Sequence, residues 1–329
     1  MRISYQASRW LLAGALLALV LPARAAEIDK YLPAEAEFAS YTNVRQIADS
    51  PVVKKYALEK LHEKLKEHDD ITKVLDALGF DPFKDLNAVV AAGSSLDPDG
   101  KAYLIAHGNF DVKKFDDKAA EEAQNHGDVL KIHKDGEHKI YEVKLPDSGD
   151  DKPLFVGVVD KGTIVASNDK DFISDCFAVA AGKKKFTVKK ELKELLDKTD
   201  AKQSWWFAMP GSLLNKGPVA QIAQGDEKTK KILEKIDSIT LGITIEKDLK
   251  LALAIGSKSA ENAKELAEDM KDKLNEAKGF LALIAGQQKQ LEPLVDIVNN
   301  IKIGTDGNAV TLKGEVGEEL IEKAAKHDK

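Results

Sequence analysis

From Trp10 to Leu21 every side chain is apolar or small, with Arg2 and Arg9 before the run and Pro22-Ala23-Arg24-Ala25 after it. A helix over that run reaches only about 18 Å, short of the ~30 Å hydrocarbon layer of a bilayer. A basic start, a short apolar run and an A-x-A end predict a cleavable secretory signal peptide over residues 1–25. Residues 26–37 follow as a linker. Beyond them the chain alternates between two periods. Period-two alternation predicts strands over Phe38–Val44, Ala88–Ala92, Lys101–His107, Leu154–Val159 and Thr163–Ser167. Helical spacing runs from Ser50-Pro51 through Val53, Tyr56, Ala57, Leu61 and Leu65, with Ser50 as N-cap and Pro51 in the first turn. It recurs at Ile71, Val74, Leu75 and Leu78, closed by Gly79. Further helices are predicted over Val112–Asn125 and Lys170–Ala181. The pair Asp135-Gly136 between two alternating segments is a hairpin signal.

The same sequence of periods returns in the second half. A helix over Lys189–Lys198 precedes the aromatic strand Ser204–Met209, and helices follow at Ser212–Gln224 and Glu227–Ile236. Ile239, Leu241, Ile243 and Ile245 alternate with small or polar residues, as do Leu249, Leu251, Leu253 and Ile255. A long helix from Ala260 aligns Ala263, Leu266, Ala267, Met270, Leu274 and Ala277. Another carries Leu291, Leu294, Val295 and Val298, and a hairpin at Asp306-Gly307 comes before a terminal helix. Short connections between strands predict antiparallel sheets packed with helices, an α+β fold. Phe38–Val44 aligns with Ser204–Met209, Lys101–His107 with Lys250–Gly256, and Lys131–Gly136 with Lys302–Gly307. The expectation is an internal duplication of a strand–helices–strand–strand–helix–hairpin unit, the first over residues 38–182 and the second over 183–329.

Composition narrows the function. Removing the first 25 of 329 residues leaves 46 basic and 55 acidic side chains, a formal charge of −9, and Arg45 is the one arginine among them. Arginine supplies the planar fork that grips phosphates and guanine edges, so an acidic chain nearly without it is read as no nucleic-acid binder. No membrane anchor is expected after processing. Cys176 is the single cysteine, which excludes an intramolecular disulfide. Its apolar neighbours in Asp171–Ala181 predict a buried thiol.

Candidate chemistry is sparse. His62-Glu63 and His68 are spaced six apart, about 120° from a shared helix face, so they do not make a zincin site. If Asp135-Gly136 is the two-residue turn, His133 faces His138 with Cβ atoms ~5 Å apart on the solvent side, a candidate zinc or copper pair. Gly304 and Ala309 stand there in the second hairpin. Asp97-x-Asp99-Gly100 lacks the later oxygen ligands of a calcium loop, and Ser148–Asp151 reads as an acidic loop. No nucleophile elbow, phosphate loop or dinucleotide fingerprint is present, and no cofactor is assigned. Arg45 is a candidate for an ion pair or an anion. Trp205 and Trp206 point to opposite sheet faces, one toward the core and the other lining a ligand groove or covering a second helix.

Leu32-Pro33-Ala34-Glu35-Ala36, Tyr41-Thr42-Asn43-Val44 and Gly79-Phe80-Asp81-Pro82 before Lys84-Asp85-Leu86 resemble a loose class of exported bacterial proteins of unknown function. The resemblance implies a periplasmic or extracellular location and carries no catalytic residues. The expected function is that of an exported, non-enzymatic protein acting by binding or structural association, its protein or small-molecule partner left open. The alternatives are a carrier of an apolar small molecule, seated near Leu274–Leu294, and an unrecognised hydrolase.

Overall fold

A computed structural model describes residues 28–67, 72, 75–76, 78–144, 153–223, 225–288 and 291–327. The signal peptide of residues 1–25, Ile71 and Val74 of the second helical stretch, and the acidic loop at 148–151 lie outside the described residues. The elements follow in chain order. β1 (Phe38–Thr42) leads to α1 (Val44–Asp49), α2 (Pro51–Tyr56), α3 (Leu58–Lys66) and α4 (Pro82–Asp85). β2 (Leu86–Gly93), β3 (Ala102–Gly108) and α5 (Val112–Asn125) follow. β4 (Leu130–Asp135), β5 (His138–Val143), β6 (Leu154–Asp160), β7 (Thr163–Ser167) and α6 (Lys170–Ala180) close the first half. The second half starts with α7 (Lys190–Leu196), β8 (Trp205–Pro210), a 3-10 turn (Gly211–Asn215), α8 (Gly217–Ala223) and α9 (Glu227–Lys235). It ends with β9 (Ile236–Ile245), β10 (Leu249–Ser257), α10 (Ala260–Ala285), α11 (Glu292–Asn299), β11 (Lys302–Asp306), β12 (Ala309–Val316) and α12 (Glu318–His327).

All twelve described strands join one antiparallel sheet in the order β11-β12-β10-β9-β8-β1-β2-β3-β7-β6-β5-β4. The two halves meet at β1 and β8, where Tyr41 lies opposite Trp206 and Ala39 opposite Ala208. The expected α+β architecture is present, built on one shared sheet. The hairpins correspond differently from the sequence alignment. Beside β3 stand β7 and β6, as β12 and β11 stand beside β10. The β4–β5 hairpin that carries Lys131–Gly136 is an addition at the far edge, so it does not occupy the place of Lys302–Gly307.

Local chemistry sets several boundaries. Asn43 does not continue β1, because its side chain accepts the Gln46 N–H at 2.9 Å and starts α1. The Ser50 hydroxyl accepts from Val53 N–H, with Pro51 in the first turn. The predicted long helix breaks at Ala57, whose φ/ψ of −127°/−29° separates α2 from α3. Gly136 and Gly307 take φ near +60° (59° and 57°), as the first residue of a tight hairpin turn requires.

Alternation along β1 and β8 feeds two cores on opposite faces. Ala39, Tyr41, Trp206 and Ala208 face a core completed by Tyr31, Ile105, Ile173, Phe177, Leu192 and Leu196. Phe38, Phe207 and Met209 face the other, which holds Leu213, Ile236, Ala263, Leu266 and Val310. The halves also brace each other at their tips. Leu96, on the β2–β3 turn, packs into the second core. In the opposite direction, the Glu246 carbonyl at the β9–β10 turn accepts Val52 N–H of α2 at 3.3 Å. Lys55 of α2 reaches Glu318 of α12 at 3.2 Å.

Candidate functional site

The long helix α10 starts where Ser259 accepts the Asn262 N–H at 3.1 Å. Its first turns bury Ala263, Leu266 and Ala267 against the sheet, the small alanines allowing close approach. At about 1.5 Å per residue its 26 residues extend roughly 39 Å. The stripe continues through Leu281, Ile284 and Ala285, with Ala285 again buried, and a second pair of apolar side chains stands on the other side of the helix. Phe280 is 63% exposed and Leu283 68% exposed, and Leu294 of α11 is 44% exposed. Phe280 and Leu283, three apart, share one helix face. Large apolar side chains grouped in the open mark association surfaces, since each leaves on the order of 1.5–3 kcal/mol of burial unrealised.

The residues singled out from sequence are dispersed. Trp206 is 5% exposed and stacks on Tyr41, rings 5.7 Å apart at 17°. Trp205 is half-buried between Thr42 and Ile243. Arg45 donates from its guanidinium to the Lys84 carbonyl at the end of α4. The β4–β5 register places Asp135 opposite His138 and His133 opposite Ile140, so the turn residues are Gly136 and Glu137. His133 and His138 are therefore diagonal neighbours. His133 Nε2 lies 2.6 Å from Glu142, holding that carboxyl below its usual range. His138 stacks on Phe177 of α6, rings 4.3 Å apart at 11°. α6 covers part of this face, where Ile140 is 1% exposed, while His138 itself stays exposed. Among the described residues no group of three or more His, Cys, Asp or Glu side chains is placed to hold a metal ion.

Among the described residues, clefts of ligand size include the following two. One, of about 480 Å³, lies between Pro33–Glu35, Lys101, Tyr103 and the stretch Lys184–Thr187. Five of its charged side chains pair with each other, Lys101 Nζ 2.7 Å from Glu35 and 2.8 Å from Asp169 and Lys184 2.5 Å from Asp175, while Asp171 and Lys185 also line it. Lys101 holds the Glu35 carboxyl low, and the two carboxylates raise Lys101 in turn. The other, about 390 Å³, is walled by Leu75, Leu78, Phe80, Phe110, Phe115 and Ile164, with Asp85, Asn109 and Asp111 also lining it. Phe80 and Phe110 stack at 5.5 Å. The aromatic residues come from separate segments, so no local spacing in the sequence announces this groove.

The matching of family models to this sequence gives no family, and no curated protein matches it. Among solved structures, crystal form III of TP0453 aligns with a TM-score of 0.49 and 11% identity, over 91% of this chain and 99% of that one. Crystal form I gives 0.47 and 12%, over 92% and 98%. Crystal form IV gives 0.48 and 12%, over 91% and 97%. The likeness is one of general layout and carries no activity.

Acid–base groups are engaged structurally. His107 Nε2 lies 2.5 Å from Asp29, tying the segment before β1 to β3. The hydrogen bond to Asp29 raises the His107 pKa, burial opposes it, and Asp160 adds to the rise. A raised folded-state value means the pair stabilises fully below the ordinary histidine pKa of about 6.5, and this contribution is lost as pH rises through the folded value. His107→Gln is therefore expected to lower the urea midpoint at pH ~5.5 and to leave it nearly unchanged at pH ~9. An equal drop at both pH values would count against the pair. Cys176 is fully buried, and burial pushes its thiol up, away from the thiolate a nucleophile needs. The histidine–carboxylate contacts described, at His107, His126 and His133, include no serine or cysteine partner. Among the described residues no helix is long and apolar enough to cross a membrane.

Proposed function

We propose that this chain is an exported, non-enzymatic α+β protein of a bacterial periplasm or exterior that works by association through the outer end of α10 and α11. The exposed Phe280, Leu283 and Leu294 carry the reading. The signal-like residues 1–25 and the motifs shared with exported proteins support the location. The aromatic groove favours a second reading, a carrier of an apolar small molecule, because 390 Å³ is within the range of ligand pockets and its walls are mostly apolar.

One preparation tests both. Protein taken from the exported fraction without denaturant is expected to begin at Ala26 and to give a native mass with no adduct. Crosslinking in intact cells is expected to capture a protein–protein species that disappears in Phe280→Glu/Leu283→Glu. A retained apolar mass that leaves with Phe110→Asp would move the assignment to the carrier. A chain found unprocessed in the cytoplasm would overturn the location, and crosslinks indifferent to Phe280 and Leu283 would overturn the surface.

A further inference from the structure

The aromatic groove has apolar walls, but the polar residues that line it are not neutral. They are Asp85, half-buried, and Asn109 and Asp111, both exposed. Local structure fixes both carboxylates. Asp85 Oδ2 accepts the Asp81 N–H at 2.7 Å within α4, and Asp111 Oδ1 accepts the Lys114 N–H at 3.0 Å to cap α5. The Asp85 carbonyl accepts the Asn109 N–H at 2.9 Å, which ties the two segments together. Each carboxylate is therefore held through one oxygen, and its second oxygen still accepts. Two lysines close enough to feel these charges are paired elsewhere, Lys84 with Asp81 and Lys113 with Asp117. A third, Lys114, crosses Gly79 on the groove wall, where an added Cβ would fall 2.5 Å from its Nζ. Among the described residues the groove thus sets two carboxylates against one ammonium, an excess of one negative charge.

We propose that this groove takes an apolar organic cation, an ammonium ion carried on an aromatic or alkyl body. The proposal rests on the carrier reading above and names the class of its ligand. The apolar body lies along the leucine and phenylalanine walls, and the ammonium meets Asp85 and Asp111. A charge-assisted hydrogen bond to a carboxylate is stronger than one between neutral groups. The stacked Phe80 and Phe110 add to it, because the face of an aromatic ring attracts a cation. A neutral ligand of the same shape gains the walls alone, and an anion meets two like charges. The acidic balance of the whole chain, −6 over the full sequence, draws cations in from solution. Asp111 is exposed and Lys114 offsets part of the charge, so the preference for a cation over its neutral counterpart is modest, about five- to tenfold. It shrinks as salt screens the carboxylates.

Three probes of one shape read the charge: phenylbutylammonium, phenylbutanol and phenylbutanoate, titrated into the processed protein and followed by its amide NMR shifts. The ammonium is expected to bind with a Kd on the order of 0.1–1 mM. The alcohol is expected to bind about five- to tenfold more weakly and the carboxylate more weakly still, with the gap narrowing at high salt. Asp85→Asn/Asp111→Asn is expected to bring the ammonium to the affinity of the alcohol and to leave the alcohol unchanged. Asparagine keeps an oxygen for each backbone N–H, so the thermal transition is expected to stay in place. Asp111→Asn alone, at an exposed cap that asparagine fills as well as aspartate, is expected to remove about two- to threefold of the preference. Equal affinity for ammonium and alcohol, or an ammonium preference that survives both variants, would overturn the proposal while the carrier reading stands on the alcohol. Failure of all three probes to bind would remove the carrier reading with it.

Discussion

Residues 28–182 produced without the rest of the chain are expected to show no cooperative unfolding transition, and residues 183–327 alone are expected to fail likewise. Each half surrenders part of its core to the other. The first core takes Trp206, Ala208, Leu192, Leu195 and Leu196 from the second half. The second core takes Phe38 and Leu96 from the first. Burying a large apolar side chain contributes about 1.5–3 kcal/mol, so the four large residues lent to the first core amount to very roughly 6–12 kcal/mol. That is comparable with the whole stability of an ordinary domain, about 5–15 kcal/mol. Separation also strips the partner from β1 and β8, leaving two long unpaired strand edges in the middle of what was a sheet. Co-expression of the two pieces is expected to restore a single transition. Far- and near-ultraviolet circular dichroism with urea titration measures it. A first half that unfolds cooperatively on its own would show that the β1–β8 seam is an interface between independent domains.

The second large effect concerns one side chain at that seam. Trp206→Ala is expected to cost about 3–5 kcal/mol, the range for removing a large aromatic from a packed core. Trp206 is 5% exposed, lies directly across from Tyr41 and packs with Leu196 and Val90. Its neighbour Trp205→Ala should cost much less, about 1 kcal/mol, because that ring is half-buried on the opposite face. The contrast between adjacent tryptophans is a direct reading of the sheet's two-residue period. Urea midpoints, with the slope held constant, give both values. Equal losses at the two positions would mean that β8 is not seated in the register that pairs Trp206 with Tyr41.

The pair also shows what a sequence can decide. Alternation along Trp205–Met209 was enough to say that the two rings part to opposite faces, because the period of a strand is a property of the backbone alone. The start of α10 at Ala260 and the glycines at the two hairpin turns were legible for the same reason. Each depends on residues within four positions of one another. The α+β class followed from the order of those local signals. Where a local choice has two good answers, pattern alone does not separate them. Asp135-Gly136 is the turn that the dipeptide predicts, but the turn is Gly136-Glu137, since either register satisfies the same alternation and only strand packing separates them. Asn43 could extend a strand or cap a helix, and the cap prevailed.

Everything that joined distant parts was decided by tertiary structure. Asp29 and His107 are 78 residues apart and meet only because β3 lies under the segment before β1. The aromatic groove draws on Phe80, Phe110 and Ile164 from separate elements. The shared sheet depends on β1 pairing with β8, a contact that leaves no trace in either strand's pattern. The outer end of α10 makes the same point for function. Spacing along the helix sets Phe280 and Leu283 apart from the stripe that runs from Ala263 to Ala285, but it does not report whether another element covers that second face, and in the fold both side chains stay exposed.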